Sequence, residues 1–395
     1  MIDWFLILTS LAKTIGIIFL VVLPMVSYTV YAERRVSAAI QDRVGPNRTG
    51  IPFTNIRIAG LGQPIADAIK FLLKEDFTPG HVNKFYYWLA PALAMIPSLL
   101  ALVVTPFGST LFGVPMVIAD VNVGVLFVFA ITSLTVYGIV IAGWASNSKY
   151  PFLGGVRSSA QMISYELSLG LSVIPLFLVF STLNLSEIVL WQQENGWILL
   201  PIWLNEWSWS PAEWPRIFSE SWDLQRFLLW IPLSLSAVVF MISLFAETNR
   251  APFDLPESET ELVAGYHTEY SSMKFALFFL GEYCAMIAGA AVFVTLFLGG
   301  WTLPFMPDGT ATTIFGWTPD ADLSWLSGLF WGLVNITVFF GKVALLLFVF
   351  IWVRWTLPRF RYDQLMKLGW VVFFEVALFN IILTAIILAY FPLSS

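Results

Sequence analysis

The chain has 395 residues, of which 58% are hydrophobic and only 12% are charged, and its formal net charge at pH 7 is −6. Ordinary soluble domains contain about 25% charged residues, so this chain has too little charge to cover a soluble protein of its size. The composition therefore excludes an ordinary soluble domain and predicts an integral membrane protein.

The few sulfur and imidazole groups limit the redox chemistry of the chain. Cys284 lies in an apolar stretch and is the sole cysteine, so an intramolecular disulfide is excluded. His81 and His267 lie far apart in sequence, and one Cys with two His builds no Fe–S cluster or structural zinc site. We expect no metal site, no cofactor and no catalytic redox residue in this chain. Any redox centre must then belong to another chain or to a diffusible substrate.

Long apolar stretches decide the fold class, because about 20 residues are needed to cross about 30 Å of hydrocarbon as a helix. The first stretch, residues 5–31, is too long for the apolar region of a cleaved signal peptide. The alternating pattern of a membrane barrel is not seen. We predict a single polytopic, all-α membrane domain over residues 1–395, with about eight transmembrane helices plus an interfacial amphipathic helix. The spans are predicted at residues 5–31, 86–106, 121–143, 162–183, 226–246, 273–298, 329–352 and 370–391.

Lysine and arginine predict the orientation of the spans. The connections 32–85, 144–161, 247–272 and 353–369 hold nearly all the basic residues outside the spans, whereas the opposite connections hold only Arg216. By the positive-inside rule, the first group lies in the cytoplasm and both termini lie on the outer side. We expect a bacterial inner membrane in preference to the mitochondrial inner membrane.

The cytoplasmic connection 32–85 combines basic residues with an amphipathic segment. Arg43 and Arg48 flank a Gly-Pro-Asn turn that is able to present them to a partner. Segment 56–74 places apolar residues at helical spacing, with Pro64 in the first turn. The segment is predicted to lie in the membrane interface. A second interpretation is that the same helix frames a lateral doorway for a lipid-like substrate.

The outer connection 184–225 is rich in tryptophan, whose indole favours the headgroup level of a membrane. We interpret it as an interfacial cover and keep a binding role as the alternative. No internal repeat is evident, so an inverted-repeat transporter has no support in the sequence.

Connection 247–272 is the strongest candidate for a chemical role. Six carboxylates share it with Arg250 and one histidine, and crowding would raise some carboxyl pKa values towards neutrality. The alternative is a solvated acidic loop with a capping box at Ser258 and Glu261. Interspersed apolar and proline residues favour burial. The carboxylates are Glu247, Asp254, Glu257, Glu259, Glu261 and Glu269.

Several charges fall inside predicted spans, where a single charge at the centre costs at least about 2.5 kcal/mol. On a structural interpretation, these charges pair with each other and fix helix packing. On a functional interpretation, they form a proton path. Lys342 lies near the middle of the seventh span and Glu282 two to three turns into the sixth. Glu166 and Glu375 lie in the first turns of the fourth and eighth spans, and Lys13 in the outer half of the first.

The same segments resemble the family of quinone-chamber membrane subunits of NADH–quinone oxidoreductase, respiratory complex I. The resemblance covers most of the chain, although 184–225 and 302–327 do not match the family pattern. The matching motifs are AERR at 32–35, QDRVGPNR at 41–48, QPIADAIK at 63–70, SSAQMISYE at 158–166, AETNRAPFDLPE at 246–257, EYS at 269–271 and LPRFRYDQLM at 357–366.

The resemblance implies a membrane subunit that forms the chamber where quinone enters from the bilayer. It implies NADH, FMN and Fe–S clusters in partner subunits, with the terminal cluster in a peripheral-arm subunit. It also implies small and antiporter-like membrane subunits as partners, and no nucleic acid. Chamber and entrance residues would be Glu33, Arg34, Arg43, Arg48, Glu247, Arg250, Asp254, Glu257, Glu259 and Glu261. Proton-coupling residues would be Glu166, Glu269, Glu282 and Lys342.

Three other functions remain open at this point. The membrane anchor of a related hydrogenase or ferredoxin-linked complex would share the fold, but the complete 45–48 and 246–257 motifs favour the quinone enzyme. A stand-alone proton or cation transporter is disfavoured by the absence of repeats and by the charged loops. A scaffold without functional residues of its own is the third.

Overall fold

The computed structural model describes residues 4–50, 54, 59–111, 114–200, 224–254, 263–303 and 324–391. In this part of the chain, eight helices are long and apolar enough to cross a membrane, which confirms the predicted number. Two shorter helices, α2 and α6, lie between spans. In chain order the helices are α1 (Ile7–Ile40), α2 (Gln63–Leu73), α3 (Lys84–Val103), α4 (Gly124–Ala145), α5 (Lys149–Phe180), α6 (Leu185–Asn195), α7 (Leu224–Glu247), α8 (Ser272–Phe297), α9 (Ser324–Thr356) and α10 (Tyr362–Tyr390).

Strand structure is minimal among the described residues. Strand β1 (Thr110–Leu111) pairs antiparallel with β2 (Val114–Pro115), in the connection between α3 and α4. The all-α fold class is therefore confirmed.

Several helices extend beyond the predicted spans, and the predicted boundaries were wrong there. Helix α5 begins at Lys149 although its span was predicted from 162, and α1 continues to Ile40 instead of ending near 31. Hydropathy detects only the part of a helix that faces hydrocarbon, whereas the hydrogen-bonded backbone continues into more polar turns. Consequently Glu33 and Arg34 are helical residues and not loop residues.

The amphipathic segment predicted at 56–74 is present as α2, with Pro64 in its first turn. It begins at Gln63, later than predicted, and residues 55–58 lie outside the described part. No residue of α2 is buried, and Ile65 and Leu72 are exposed. An unburied apolar stripe of this kind is stable where it meets a membrane interface.

Helix α8 is the most buried span, because 67% of its apolar 18-residue segment lies inside the protein. Small residues allow its neighbours to approach closely. A Cβ added at Gly281 of α8 would lie 3.1 Å from the Ala94 carbonyl oxygen of α3, and one at Gly138 of α4 would lie 2.7 Å from the Ala94 nitrogen. Helices α3, α4 and α8 therefore form a tight group against which the functional side chains are held.

The connection 184–225, which was predicted to be outer, packs on protein in the part that is described. Helix α6 buries Leu185, Ile188 and Val189, and the Gln192 side chain donates to the Thr295 carbonyl oxygen at the end of α8. The Gln192 side-chain oxygen also accepts from the Gly299 amide at 3.0 Å. Most of the predicted tryptophan cover lies in 201–223, outside the described residues.

Candidate functional site

The side of the bundle that carries the basic connections, called the basic side below, contains a pocket of about 670 Å³ between α1, α2, α8 and α9. This volume lies in the usual range of small-molecule sites. One part of the wall is apolar and the other carries charges. The apolar part includes Val26, Val30, Phe71, Leu72, Phe275, Phe279 and Leu280, and the charged part includes Glu33, Arg34, Arg43, Asp67 and Arg354.

Glu33 is the buried acid of this pocket, with 8% of its surface exposed. Its carboxylate accepts a hydrogen bond from Tyr283 Oη at 2.5 Å and pairs with Arg354. It also lies 3.8 Å from Nη1 of Arg250. Because α1 continues as a helix past the apolar core, Glu33 is turned towards α8 and α9 and away from solvent.

Arg250 lies between two acids and is itself only 4% exposed. Its Nη2 is 3.5 Å from Glu282 Oε2, while its other terminal nitrogen faces Glu33. The guanidinium carbon stands 4.3 Å from the ring centre of Tyr283. A buried charge is stable only when it is paired, so this cluster depends on both acids and both arginines being present. Two carboxylates, Glu33 and Glu282, face two guanidinium groups, Arg250 and Arg354.

Beyond Arg250 lies a second, smaller cavity of about 60 Å³, which is large enough to hold a few water molecules. Its wall combines Glu282 with Glu247, Thr248, Asn249 and Tyr266. Tyr266 Oη donates to Glu282 Oε1 at 3.0 Å. The Arg250–Glu282 pair thus stands between the larger pocket and this cavity.

The acids continue from the cavity to α5. Glu247 lies beside the Thr132 side chain and near enough to Glu166 for the two charges to repel. Glu166 accepts from Ser133 Oγ, at the point where α4 divides into two helical segments. The structure therefore brings Glu33, Glu282, Glu247 and Glu166 into one succession, with Arg250 between the first two.

The turn that carries Arg250 is fixed by α5. Gln161 is fully buried, and its Nε2 donates to the carbonyl oxygens of Ala246 and Phe253, both at 2.7 Å. Ser158 donates to Asn249 Oδ1 at 3.2 Å. The first part of the acidic connection is therefore buried and not solvated. Glu257, Glu259, Glu261 and the alternative capping box at Ser258 lie outside the described residues.

Of the other predicted residues, Arg34 and Arg43 line the larger pocket, whereas Asp254 does not. Arg34 Nη1 binds Asp67 Oδ2 of α2 at 2.7 Å, and Asp254, 3% exposed, pairs with Arg359 at 3.0 Å. Arg43 and Arg48 line an adjoining surface groove with Arg34. Three arginines thus face the same open area beside the pocket.

Some predicted charges are not part of this succession. Lys342 donates to the carbonyl oxygens of Leu298, Gly300 and Thr302 at 2.6–2.8 Å, and stands about 18 Å from Arg354 along α9 at 1.5 Å per residue. Glu375 lies well inside α10 and not in its first turns, because that helix begins at Tyr362.

Lys13 and Glu269 are placed elsewhere. Lys13 donates to the carbonyl oxygens of Pro115 and Val117. Glu269 lies in the turn before α8, where its backbone carbonyl accepts from Tyr87 Oη at 2.6 Å.

An aromatic pair supports this turn. The rings of Tyr87 and Tyr270 stack with centroids 4.1 Å apart and planes 5° from parallel. Burial and the neighbouring phenol of Tyr87 raise the pKa of Tyr270. Tyr270 therefore stays neutral at physiological pH, and the turn carries no extra negative charge from this group.

Sequence reasoning missed Tyr283, Tyr266, Gln161, Lys274 and the pairing of Arg354 with Glu33. In the sequence Arg354 bears only on orientation, and tyrosine in an apolar span carries no charge that would distinguish it. Gln161 lies in a motif that matches the family, which is the one signal that could have found it. Among the described residues, no group of three or more His, Cys, Asp or Glu is arranged to hold a metal ion.

Comparisons with known proteins agree with the geometry. The family model described as NADH dehydrogenase matches residues 13–385. The H subunit of NADH-quinone oxidoreductase from Rickettsia rickettsii (strain Iowa) is 48% identical over 368 residues, 92% of this chain and 89% of the relative. The protein of the same name from Rickettsia prowazekii (strain Madrid E) is 47% identical, covering 97% and 95%. An H subunit of NADH-quinone oxidoreductase from Geobacter metallireducens is 46% identical, covering 96% of both chains.

Proposed function

The chain belongs to the NADH dehydrogenase family, as an H subunit of NADH–quinone oxidoreductase, and on that premise we propose that its larger pocket is a quinone chamber. It is a multi-pass membrane subunit of that oxidoreductase complex. The chain contributes to the enzyme by receiving the substrate and coupling its reduction to proton movement, while electrons arrive from a partner chain.

The composition of the pocket wall supports quinone as the occupant. A quinone joins an apolar tail to a ring whose two carbonyl oxygens accept hydrogen bonds. The apolar residues of α1, α2 and α8 suit the tail, whereas Arg34, Arg43 and Arg354 are donors suited to the oxygens. The unburied stripe of α2 beside the pocket fits a lateral doorway from the bilayer.

The single observation that carries the coupling proposal is the position of Arg250, 3.8 Å from Glu33 and 3.5 Å from Glu282. Reduction of a quinone to a quinol takes up two electrons and two protons, so negative charge develops before protons arrive. That charge attracts Arg250 and weakens its pairing with Glu282. At an effective dielectric constant of about 20, a pair near 4 Å interacts by about 4 kcal/mol, enough to change the proton affinity of the acid.

Without its cation, Glu282 takes up a proton from water. When the quinol is fully protonated and Arg250 returns, Glu282 releases that proton through the small cavity towards Glu247 and Glu166. The cavity has water-sized space between Glu282 and Glu247, with the Thr132 and Tyr266 hydroxyls on its wall, and Ser133 donates to Glu166 beyond it. We assign the outlet at Glu166 to the small and antiporter-like membrane subunits. Lys342 is not included, because its bonding partners are carbonyl oxygens remote from this cavity.

The remaining assignments follow from membership of the complex. NADH, FMN and the Fe–S clusters are assigned to partner subunits, with the terminal cluster in a peripheral-arm subunit docked over Arg34, Arg43 and Arg48. The chain is assigned to a bacterial inner membrane, with its basic side in the cytoplasm and both termini on the outer side.

Photo-crosslinking of the assembled complex by a quinone analogue tests the chamber. Label is expected in peptides from α1 and α8 that line the pocket, and an inhibitor of quinone reduction should prevent it. Label confined to other subunits, or label here that an inhibitor does not reduce, would refute the chamber.

A further inference from the structure

The C-terminal end of α2 is fixed to the first turn of α8 by a set of contacts that the quinone chamber itself does not require. Ser272 Oγ lies 3.0 Å from the Phe71 carbonyl oxygen and 2.9 Å from that of Lys74, so one hydroxyl serves two carbonyls at the helix end. Ser271 Oγ contacts both the amide and the carbonyl oxygen of Phe77. The last carbonyls of a helix have no partner within it, and here α8 supplies one.

Lys274 completes the attachment and is buried to 3% exposure. Its Nζ lies 2.9 Å from Asp76 Oδ1 and 2.7 Å from Thr78 Oγ1, and it stands 4.0 Å from the ring centre of Trp88. A buried ammonium group is stable only with such partners, so the segment after α2 is held where Asp76 and Thr78 meet Lys274.

The first half of α2 is attached by different contacts. There Arg34 and Asp67 form an ion pair whose side chains are 48% and 25% exposed. Exposed pairs contribute little because solvent screens them. Between its two attachments α2 buries no residue, and it lines the pocket with Ala68, Phe71 and Leu72. At the start of the helix, Gln63 Oε1 also accepts from Thr49 Oγ1 at 2.6 Å, so both ends are held, and the end at α8 is the one held by a buried charge.

We propose that Ser272, Lys274 and Asp76 form a clamp that fixes the width of the chamber mouth between α2 and α8, and that this clamp determines how tightly the quinone tail is held. The three are positioning residues and do not contact the quinone ring. This inference rests on the proposed quinone chamber.

The clamp acts on the tail through its neighbours. Phe71 and Leu72 precede the clamped carbonyl of Lys74, and Met273 and Phe275 flank Lys274, and all four line the pocket. A long tail threads between these side chains, whereas a quinone with a very short tail places little there. Loosening the clamp therefore removes contacts from long-tailed quinones and leaves the ring site intact.

Steady-state kinetics of the assembled complex with two quinones of one headgroup, one short-tailed and one long-tailed, tests the clamp. For Asp76→Asn and Lys274→Gln we expect the KM of the long-tailed quinone to rise at least about threefold, and that of the short-tailed one to change by less than about twofold. Lys274→Arg, which keeps the charge, should restore most of the selectivity. Lys84→Gln, at the exposed start of α3, is the matched control and should change neither KM.

Equal changes in both KM values, or no change in either, would overturn the clamp. NADH oxidation by a water-soluble acceptor, with native gels, reports how much complex is assembled. If Lys274→Gln does not assemble, Asp76→Asn carries the test, because the Asp76 side chain is 40% exposed and its loss leaves Lys274 with Thr78. If the wild-type pocket is crosslinked but the variants keep their tail selectivity, the clamp alone is refuted. If the wild-type pocket is not crosslinked, the chamber itself is refuted.

Discussion

Tyr283 of α8 donates its phenolic hydrogen to Glu33 of α1 at 2.5 Å, across 250 positions of sequence. The residue before it, Glu282, lines the small cavity, while Glu33 and Tyr283 line the larger pocket. Adjacent positions on one helix thus face two different spaces. A movement of Glu33 is therefore transmitted through Tyr283 to α8, the helix that carries Glu282.

Removing the hydroxyl of Tyr283 should lower quinone reduction without preventing assembly. Tyr283→Phe keeps the ring under Arg250 and leaves Glu33 paired with Arg354, so only one hydrogen bond is lost, worth about 1–2 kcal/mol. We expect kcat to fall by about tenfold with a smaller change in KM, measured with a short-tailed quinone in membranes. Tyr150→Phe, at an exposed position, is the control. Wild-type kcat in Tyr283→Phe would show that this bond has no part in turnover.

Neutralising the cavity acids should lower both quinone reduction and proton movement. Glu282→Gln and Glu247→Gln preserve volume, so the complex should assemble in normal amount, while quinone reduction and proton translocation both fall. Rates and the pH gradient are measured in vesicles that contain the complex, each normalised to assembled enzyme. Glu375→Gln, on a helix apart from the succession, should retain both activities. Full pumping in Glu282→Gln would remove that residue from the path.

The sequence was sufficient for the helices and their order but not for their ends. Eight apolar stretches predicted eight spans, because the local composition of a segment determines whether it can cross the hydrocarbon as a helix. The helix ends on the basic side were misjudged because polar helical turns resemble loops in a hydropathy profile. The error mattered for Glu33, which the sequence placed at the end of a span and the structure places inside a helix, buried against α8.

Composition and spacing could not predict which residues far apart in the sequence form pairs. Glu282 and Arg250 were both singled out by their charge, yet nothing in the sequence states that a guanidinium 32 positions upstream lies 3.5 Å from that carboxylate. Lys342 shows the converse. Its charge in a span suggested a place among the acids, but carbonyl oxygens at the end of α8 satisfy it just as well.

The turn of residues 246–254 should lose its shape when Gln161 cannot donate. Gln161→Met keeps the volume but leaves the Phe253 carbonyl unpaired in a buried place, at a cost of about 1–3 kcal/mol, and leaves the Ala246 carbonyl with the Asn249 amide alone, at 3.3 Å. We expect less assembled complex after mild heating, and reduced quinone turnover in what remains, assayed by native gels and activity in the gel. Ser159→Ala, on an exposed turn of the same helix, is the control. Unchanged heat resistance would mean that α5 does not hold the turn.

Arg250 offers the sharpest test of the charge cluster, because removing it and replacing it have different consequences. Arg250→Met leaves Glu33 and Glu282 without their shared cation, and breaking a buried pair in this way costs about 3–5 kcal/mol, so little complex should assemble. Arg250→Lys retains the charge but not the planar fork that reaches both acids, so assembly should survive with weakened quinone turnover. The double variant Arg250→Met, Glu282→Gln should assemble better than Arg250→Met alone, because one unpaired acid has been removed. Native gels of detergent-solubilised membranes measure all three. If the double variant assembled no better than the single one, the loss would come from packing against Tyr283 and not from unbalanced charge.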